Sequence, residues 1–412
     1  MINTRLNEKN VIEISDLSFK IEDKDILTGI NLSVGQGEFV GLIGPNGAGK
    51  TTLLKCINGI NKAEGSVKVK GRVINDYSDK KLAREIALMH QNTTVSFPFT
   101  ALDIVLMGRY PYMGRFKGES SEDRLIAKRS MCYTDTQSLE RSPITEMSGG
   151  ERQRVLFAKT LTQQTDIILL DEPTASLDIT YQEQIFRYSS QLCGEGKTVV
   201  AAIHDLKIAA RYCTRLVLLN NGAVAADGAP AEVLTSENLS KVYNVNALVY
   251  KNRITGLIDL YISGESGRKR TDRVHVIGGG GSATGVFREL YEHGYSITAG
   301  VFSHGDSDIG SAEVFGIEHI VEKPFSEISQ EAHVKNITYI KDSDITILCN
   351  MPFGPQNYKN LEAALNAKKL VIIEDEGLES RDFTGGRISD IYKALKKAAV
   401  AVISSAQLHE VL

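Results

Sequence analysis

The sequence predicts an α/β protein of two domains, and three observations lead to this prediction. A glycine-rich loop at residues 44–51 lies between a short apolar strand and a helix. Two unbroken apolar runs, 167–170 and 198–203, end in polar residues, as strands buried on both faces of a sheet do. Beyond residue 273, apolar segments alternate with helical patterns, which is typical of a smaller, doubly wound α/β domain.

The length and composition limit the classes of function. The chain has 412 residues, more than one ordinary core accommodates. Its net charge of −4 argues against a protein that binds nucleic acid by neutralising phosphates. The five cysteines are scattered without a C-x-x-C pair, so there is no zinc or disulfide signature. No signal peptide is visible and no apolar run reaches the length of a membrane span.

The loop at 44–51 matches the pattern G-x-x-x-x-G-K-[ST] of phosphate-binding loops. Its glycines allow the backbone to turn N–H groups around an anion, and the helix that follows adds its positive end. We expect Lys50 to reach the β- and γ-phosphates and Thr51 to offer its hydroxyl to Mg²⁺. The residues predicted to bind a nucleotide here are Gly44, Pro45, Asn46, Gly47, Ala48, Gly49, Lys50, Thr51 and Thr52.

The segments around this loop have distinct patterns. Residues 11–34 form short apolar segments separated by polar turns, which predicts an antiparallel β-subdomain before the strand at 39–43. Residues 86–89 predict a strand that ends at His90 and Gln91. From 100 to 142 the pattern becomes helical. The glycine pair after Ser148 predicts a helix whose start is a second anion-binding end.

Several motifs, in order along residues 11–255, resemble the nucleotide-binding subunit of ABC transporters. They are the phosphate loop, Gln91 after a strand, the signature Ser148–Glu151, the strand ending in Asp171 and Glu172, Ala175–Asp178 and His204. The resemblance implies a P-loop ABC-type ATPase domain with a mixed sheet, an antiparallel β-subdomain and a helical subdomain at about 92–147. The spacing of 57 positions from Gln91 to Ser148 leaves room for that helical subdomain.

The resemblance also implies roles for single residues in a head-to-tail homodimer with two ATP molecules at its interface. Glu172 would be the general base, His204 would reach the γ-phosphate, and Gln91 would touch both Mg²⁺ and the attacking water. Thr51, Gln91 and Asp171 would hold Mg²⁺. The residues expected to approach the nucleotide of the opposite subunit are Ser148, Gly149, Gly150, Glu151 and Asp178.

One position departs from the family pattern. The family stacks an aromatic ring on adenine from a residue upstream of the phosphate loop. Ile21 occupies the expected place, and an aliphatic side chain offers contact area without π-stacking. Phe19 lies two residues away, so Phe19, Ile21 or neither remains open as the adenine contact.

The segment at 97–111 resembles the subgroup that imports iron-siderophores, haem and cobalamin, and this region contacts the membrane subunit in the family. The implied cargo is a metal chelate, cobalamin or an iron-siderophore or haem. The implied partners are a polytopic membrane permease and, indirectly, a periplasmic or extracellular substrate-binding protein, with no nucleic acid. The implied location is the cytoplasmic face of the cell membrane, as a peripheral protein.

The alternative is a soluble, non-transport ABC ATPase of translation or DNA repair. Translation types usually carry two ATPase cassettes in one chain, and repair types insert a long coiled coil. This sequence has one phosphate loop and one signature, so the importer remains the preferred hypothesis. A catalytic role for the C-terminal domain ranks lower, because no nucleophile and base stand out there.

We expect the ATP-binding domain to span residues 1–262, a polar linker 263–272, and a Rossmann-like domain of unknown ligand 273–412. The loop 278–281 resembles a dinucleotide-type turn but lacks a clean G-x-G-x-x-G. Residues 305–308 follow the second strand, where an acid would meet a ribose, and 350–355 follow a later strand. Three loops at one sheet edge suggest a small-molecule site and a regulatory sensor, while tight turns without a ligand are the alternative.

Overall fold

The computed structural model of the chain describes residues 10–90, 97–114, 118–174, 177–252, 255–263 and 270–411. Contacts divide the chain into two compact units. The first contains residues 1–244 and 257–259, and the second contains 245–256 and 260–412. The last residues of the first unit, 257–259, lie just before the predicted boundary at residue 262, which stays a prediction. Of the predicted linker 263–272, residues 264–269 lie outside the described part of the chain.

The first unit contains an antiparallel sheet with the strand order β2-β1-β4-β5. Its strands are β1 (Asn10–Ile21), β2 (Lys24–Gly35), β4 (Glu64–Val69) and β5 (Arg72–Val73), with β3 (Phe39–Ile43) following β2 in the chain. The sequence predicted short segments in place of β1 and β2. Both are twelve residues long because pairing continues across register shifts, including one between Ile14 and Leu17.

A second sheet of the first unit has the strand order β10-β9-β3-β8-β7-β6. Its further strands are β6 (Ile86–Met89), β7 (Ile167–Asp171), β8 (Thr198–Ala202), β9 (Arg215–Asn220) and β10 (Ala223–Gly228). All neighbours pair in parallel except β10, which is antiparallel to β9. The predicted mixed sheet is confirmed, and β3, β7 and β8 are fully buried, as their apolar runs predicted.

The helices of the first unit are α1 (Lys50–Ile57), α2 (Asp79–Glu85), α3 (Ala101–Leu106), α4 (Ser121–Tyr133), α5 (Gly149–Thr162), α6 (Ile179–Gly194), α7 (Leu206–Tyr212), α8 (Pro230–Val233) and α9 (Ser236–Tyr243). Helices α3 and α4 form the predicted helical subdomain. Both begin with a capping box, at Thr100 with Asp103 and at Ser120 with Asp123. Each box satisfies backbone N–H groups that the first helical turn leaves without partners.

The second unit is a doubly wound domain, as predicted. Its strands β13 (Arg273–Ile277), β14 (Ser296–Ser303), β15 (Glu318–Glu322), β16 (Ile345–Leu348), β17 (Leu370–Ile373) and β18 (Ala401–Ile403) are all parallel. The spatial order is β15-β14-β13-β16-β17-β18, which is the Rossmann order 3-2-1-4-5-6. Two further strands, β11 (Asn246–Lys251) and β12 (Ile258–Ser263), form a separate two-stranded sheet.

The helices of the second unit are α10 (Thr284–Glu292), α11 (Ser307–Val314), α12 (Gln330–Asp342), α13 (Lys359–Ala364), α14 (Leu378–Arg381) and α15 (Ser389–Ala398). One core cluster includes Phe287 of α10 and Phe302 of β14. A second includes Leu361 of α13 and Leu395 of α15. The crevice at which ligands bind in such folds lies at the carboxyl ends of β13 and β16, where the strand order reverses.

Candidate functional site

The glycine-rich loop of the first unit joins β3 to α1, as predicted. Gly44 has a φ of 145° and Gly49 a φ of 101°, values that side chains other than glycine rarely adopt. A Cβ atom would lie 2.3 Å from the Leu219 carbonyl oxygen at Gly44, and 2.6 Å from the Leu27 side chain at Gly49. The loop is therefore a backbone cradle that only glycine can form at these two positions.

Lys50 is the first residue of α1, and only 5% of it is exposed. Its Nζ donates hydrogen bonds to the carbonyl oxygens of Gly44 (2.6 Å) and Pro45 (3.0 Å). Burial lowers the pKa of Lys50, while the nearby charges of Glu172 and Asp171 act in the opposite direction. The ammonium group is thus held over the loop, where phosphate oxygens would be better partners than carbonyls.

Thr51 and Asp171 place two oxygen atoms that can bind a metal ion next to each other. The Thr51 hydroxyl donates a hydrogen bond to Asp171 Oδ1 at 2.7 Å, joining the start of α1 to the end of β7. Asp171 is 2% exposed, and burial raises its pKa, helped by the charge of Glu172 and opposed by the Thr51 hydrogen bond. A hydroxyl and a carboxylate beside a phosphate loop fit Mg²⁺, which binds few protein oxygens.

Glu172 and His204 follow neighbouring strands, β7 and β8, and contact each other. His204 Nε2 lies against Glu172 Oε1. Glu172 has a φ of 49°, an uncommon conformation for a residue with a side chain, which places it immediately after the buried Asp171. The side chains are 16% exposed for Glu172 and 45% for His204, so both are accessible to water. The pair is therefore suited to accept and hold a proton.

A cavity of about 460 Å³ lies over the loop. Its lining includes the predicted loop residues 46–52 and Glu172. Five further residues that the sequence analysis did not single out also line it: Lys24, Asp25 and Ile26 of β2, and Asn221 and Gly222 between β9 and β10. The Thr28 amide donates to the Gly222 carbonyl at 2.9 Å, so these two segments are joined.

The lining of this cavity also bears on the adenine contact, for which the sequence left Phe19, Ile21 or neither open. Ile21 lines this cavity and is 54% exposed. Phe19 does not line the cavity; it packs against the apolar core beneath the β-subdomain. An exposed aliphatic side chain thus lies where the family pattern places an aromatic ring.

The signature residues begin α5 and do not line this cavity. The Ser148 hydroxyl accepts a hydrogen bond from the Glu151 amide at 3.3 Å, and the Glu151 carboxylate accepts from the Ser148 amide at 2.9 Å. The hydrogen bonds that the Glu151 carboxylate accepts from the Ser148 amide and the Ser148 hydroxyl lower the pKa of Glu151. Gly149 and Gly150 form the first turn of the helix. Ser148 and Gly149, at the start of this helix, are exposed.

Two further contacts organise the loop after β7. Buried Gln153 of α5 donates from Nε2 to the Pro173 carbonyl at 3.1 Å, which ties α5 to the residue after Glu172. Asp178 caps α6 by accepting from the Tyr181 amide at 3.1 Å, and it does not line the cavity. No motif predicted a separate role for Gln153, although its place two residues after Glu151 was a signal.

Gln91 lies outside the described residues, as do Ala175 and Ser176, so their predicted places stay predictions. His90 is the last described residue before Gln91. Burial is the main cause that lowers the pKa of His90, and the charge of Asp171 opposes it, so the end of β6 lies near the end of β7.

Three loops of the second unit lie close together. Residues 278–281, 305–308 and 350–352 approach one another, as expected at the carboxyl edge. Asp306 accepts the Gly280 amide (3.0 Å), and Asp308 accepts the Ala283 amide (3.2 Å). Asp306 also caps α11, which begins at Ser307. A contact of these acids with a ribose stays a prediction.

Two features are absent from the part of the chain that is described. No helix there is long and apolar enough to cross a membrane. No three His, Cys, Asp or Glu side chains there form a cluster that could hold a metal ion.

Two known families match this chain, one in each unit. The ABC transporter family matches residues 27–175, and the MJ0874 family matches residues 297–408. The cobalamin import ATP-binding protein BtuD of Halobacterium salinarum is 37% identical over 320 residues, which cover 77% of this chain and 80% of that protein. These residues outnumber the first unit, so the similarity extends into the second.

A further relative and a solved structure are also similar to this chain. The hemin import ATP-binding protein HmuV of Streptomyces coelicolor is 39% identical over 236 residues, covering 57% of this chain and 84% of that protein. The solved structure of an ABC transporter of the metal-chelate type, in an inward-facing conformation, has a TM-score of 0.55 and 26% identity, covering 62% of this chain and 98% of that chain. These comparisons do not favour the alternative of a soluble, non-transport ATPase. The chain belongs to the ATP-binding subunits of ABC transporters, and its activity is the hydrolysis of ATP coupled to transport across a membrane.

Proposed function

We propose that this chain powers the import of a metal chelate, either cobalamin or an iron compound such as haem or a ferric siderophore. The observation that carries the proposal is the similarity to a cobalamin import ATP-binding protein, which extends beyond the ATPase unit. The hemin import relative and the metal-chelate type transporter support the same class of cargo. In this proposal the chain lies at the cytoplasmic face of the cell membrane, bound to a polytopic permease. A substrate-binding protein outside the membrane acts with it indirectly.

The loop at 44–51 would bind the phosphates of ATP through its backbone N–H groups and through Lys50. Thr51, Asp171 and Gln91 would hold Mg²⁺, which would neutralise charge on the phosphate oxygens. Ile21 and the β2 residues on the cavity wall would contact the base and ribose by apolar packing and hydrogen bonds.

Glu172 would accept a proton from the attacking water, since its carboxylate follows Asp171 directly and reaches the cavity. His204 contacts Glu172 Oε1 and would hold that carboxylate in position. Its exposed ring would also donate to the γ-phosphate. Because the position of both side chains is set by the ends of parallel strands, the arrangement is pre-organised for hydrolysis.

A homodimer would complete each site. Ser148, Gly149, Gly150, Glu151 and Asp178 do not line the cavity of their own subunit. In a head-to-tail dimer the α5 helix start of one subunit would meet the γ-phosphate held by the other, and Asp178 would lie at the interface. Closure of the dimer on ATP would then transmit force to the permease.

The helical subdomain offers a surface for that permease. Phe97 is 69% exposed and Tyr110 is 59% exposed, in the segment that resembles chelate importers. Exposed aromatic side chains in one segment are typical of protein contacts.

The test is transport by the reconstituted complex. The chain and its permease are placed in vesicles, and ATP-dependent uptake of labelled cobalamin, haem and a ferric siderophore is measured. We expect uptake of one of these, and none with the Glu172→Gln variant. Active ATP hydrolysis by the complex without uptake of any of the three would refute the proposed cargo class.

A further inference from the structure

The second unit has a cavity of about 570 Å³. It opens beside the carboxyl ends of β13, β16 and β17, next to the point where the strand order reverses. Its apolar lining comes from Val286 of α10, Ile373 of β17 and Leu408 near the C-terminus. The size is within the range of small-molecule pockets, and the location is the usual one for this fold.

Two backbone amides at this edge that could bind a phosphate, those of Gly280 and Ala283, are already used. In a dinucleotide-binding fold the N–H groups of the glycine loop would face a pyrophosphate. Here both carboxylate oxygens of Asp306 accept the Gly280 amide, at 3.1 and 3.0 Å, and Asp308 accepts the Ala283 amide. A phosphate at this loop would have to displace two carboxylates and would be repelled by them. The ligand of the neighbouring cavity is therefore not anchored by a phosphate.

The cavity presents charges of both signs around its apolar lining. Arg288 has no hydrogen bond or ion pair with any residue of the described chain, and it lines the cavity from α10. Asp375 faces it from the end of β17 and uses Oδ1 to accept the Ser405 amide at 2.7 Å. Glu289 lies 3.7 Å from His293 Nδ1, on the same helix. His409 also lines the cavity.

Asn350 adds a neutral donor. Its Oδ1 accepts the Asp375 amide at 3.2 Å, which holds the side chain in place and leaves the NH₂ group as a donor at the cavity. A ligand with one charge only would satisfy Arg288 or Asp375 and would be repelled by the other. A zwitterion with an apolar body satisfies both.

We propose that this cavity binds an apolar α-amino acid or a molecule of the same chemistry. The carboxylate lies at Arg288 and Asn350, the ammonium group lies at Asp375, and the apolar side chain lies on Val286, Ile373 and Leu408. The binding site makes the second unit a sensor of a small zwitterion. This inference does not rest on the cargo proposed above.

The experiment is calorimetric titration of the full-length protein with L-leucine. We expect binding by the wild type and at least about tenfold weaker binding by Gly285→Leu, because Gly285 lines the cavity and has open space beside it, so the new side chain fills the site. The matched control is Gly310→Leu, on α11, where a Cβ atom also meets nothing within 4 Å and which does not line the cavity. This control should bind like the wild type.

Two analogues of L-leucine test the contributions of its carboxylate and its ammonium group separately. Leucinol lacks the carboxylate and N-acetyl-leucine lacks the ammonium group, so each should bind at least about tenfold more weakly than L-leucine. Arg288→Gln should weaken L-leucine and leave leucinol unchanged, which a merely structural role of Arg288 would not produce. Three results would overturn the proposal. They are equal binding of L-leucine, leucinol and N-acetyl-leucine, L-leucine binding unaffected by Gly285→Leu, and no L-leucine binding at millimolar concentration. Binding of NAD⁺ that is lost in Gly285→Leu would also overturn it.

Discussion

Glu172 and His204 are the side chains of the ATP site best placed to handle a proton. They contact each other at the ends of two buried parallel strands, and both are accessible to water. Neighbouring Asp171 is almost fully buried and bound to the Thr51 hydroxyl, so it is not available to water. Two adjacent carboxylates thus have different environments, and the environments suit different roles.

The first prediction concerns the Glu172 carboxylate. Glu172→Gln removes the carboxylate that we propose as the general base but keeps the size and shape of the side chain. We expect ATP hydrolysis to fall by about 100-fold to 10,000-fold while ATP binding remains, because a positioned general base contributes a factor of this size. Phosphate release measures the first effect, and light scattering of an ATP-bound dimer measures the second. Glu195→Gln, at an exposed position, is the control; wild-type turnover in Glu172→Gln would remove Glu172 from this role.

A second prediction concerns His275, which lies at the centre of β13 and is fully buried. Its Nδ1 shares a hydrogen bond of 2.9 Å with the Thr298 hydroxyl, and burial lowers the pKa of His275 to about 4. In the unfolded chain an imidazole takes up a proton near pH 6.5. Between these two values the unfolded state binds more protons, so the free energy of unfolding decreases as the pH falls from about 6.5 to 4.

We expect this single group to contribute a slope of up to about 1.4 kcal/mol per pH unit within that window, and none above it. The slope is measured by urea unfolding at several pH values. Hydrogen exchange of peptides from the second unit is the readout of unfolding. His275→Leu should have a smaller slope than the wild type. The exposed His304 provides the control, because His304→Leu should keep the wild-type slope. Equal slopes in wild type and His275→Leu would contradict the prediction.

At the scale of elements, the ATP site is held together by contacts between distant segments. The β-subdomain supplies Lys24 to Ile26 to the cavity wall, and the turn between β9 and β10 supplies Asn221 and Gly222. A hydrogen bond between Thr28 and Gly222 joins these two segments. Helix α5 is joined to the Asp171–Pro173 loop by the Gln153 side chain.

The third prediction tests this last link. Gln153→Ala leaves the buried carbonyl of Pro173 without its donor, which costs about 1–3 kcal/mol and loosens the residue after Glu172. We expect kcat for ATP to fall by about tenfold with KM changed less than about twofold, because a barrier increase of about 1.4 kcal/mol produces that change. Steady-state kinetics give both values. Gln191→Ala, at an exposed site of α6, should have wild-type kinetics; a KM effect alone in Gln153→Ala would argue against the link.

At the scale of the whole molecule, Tyr243 occupies a distinctive place in the chain. It is the last residue of α9 and belongs to the first unit, and the second unit begins two residues later at Val245. Burial raises the pKa of Tyr243 to about 12, and a hydrogen bond with the backbone of Gly44 opposes this shift. The residue next to the domain boundary therefore supports the first glycine of the phosphate loop.

The fourth prediction follows from this contact. Tyr243→Phe keeps the ring and removes the hydroxyl partner of Gly44, so we expect weaker support of the loop and a KM for ATP that rises by about fivefold, since one hydrogen bond contributes about 1 kcal/mol. Tyr77→Phe is a matched control, because its hydroxyl donates to the Val69 carbonyl at 3.0 Å, away from the loop. Steady-state ATPase kinetics measure the change, and an unchanged KM in Tyr243→Phe would show that the contact does not support nucleotide binding.

The sequence by itself determined the order of elements and the chemistry of the ATP site. Apolar runs located β3, β7 and β8, and the alternation of apolar and helical patterns after residue 273 predicted the doubly wound sheet of the second unit. The motif residues Lys50, Thr51, Asp171 and Glu172 are together in the structure, because each lies at a strand end or a helix start. Such features depend on neighbours in the chain, and a local pattern records them.

Only the tertiary structure decided which segments complete the sites. The cavity wall from residues 24–26 and 221–222 and the Gln153 contact join segments far apart in the chain. In the second unit, Asp306 and Asp308 occupy the amides that the glycine loop was expected to offer to a ligand. No periodicity or motif encodes these contacts. They depend on how sheets and helices pack, because packing brings side chains of distant segments within hydrogen-bond distance.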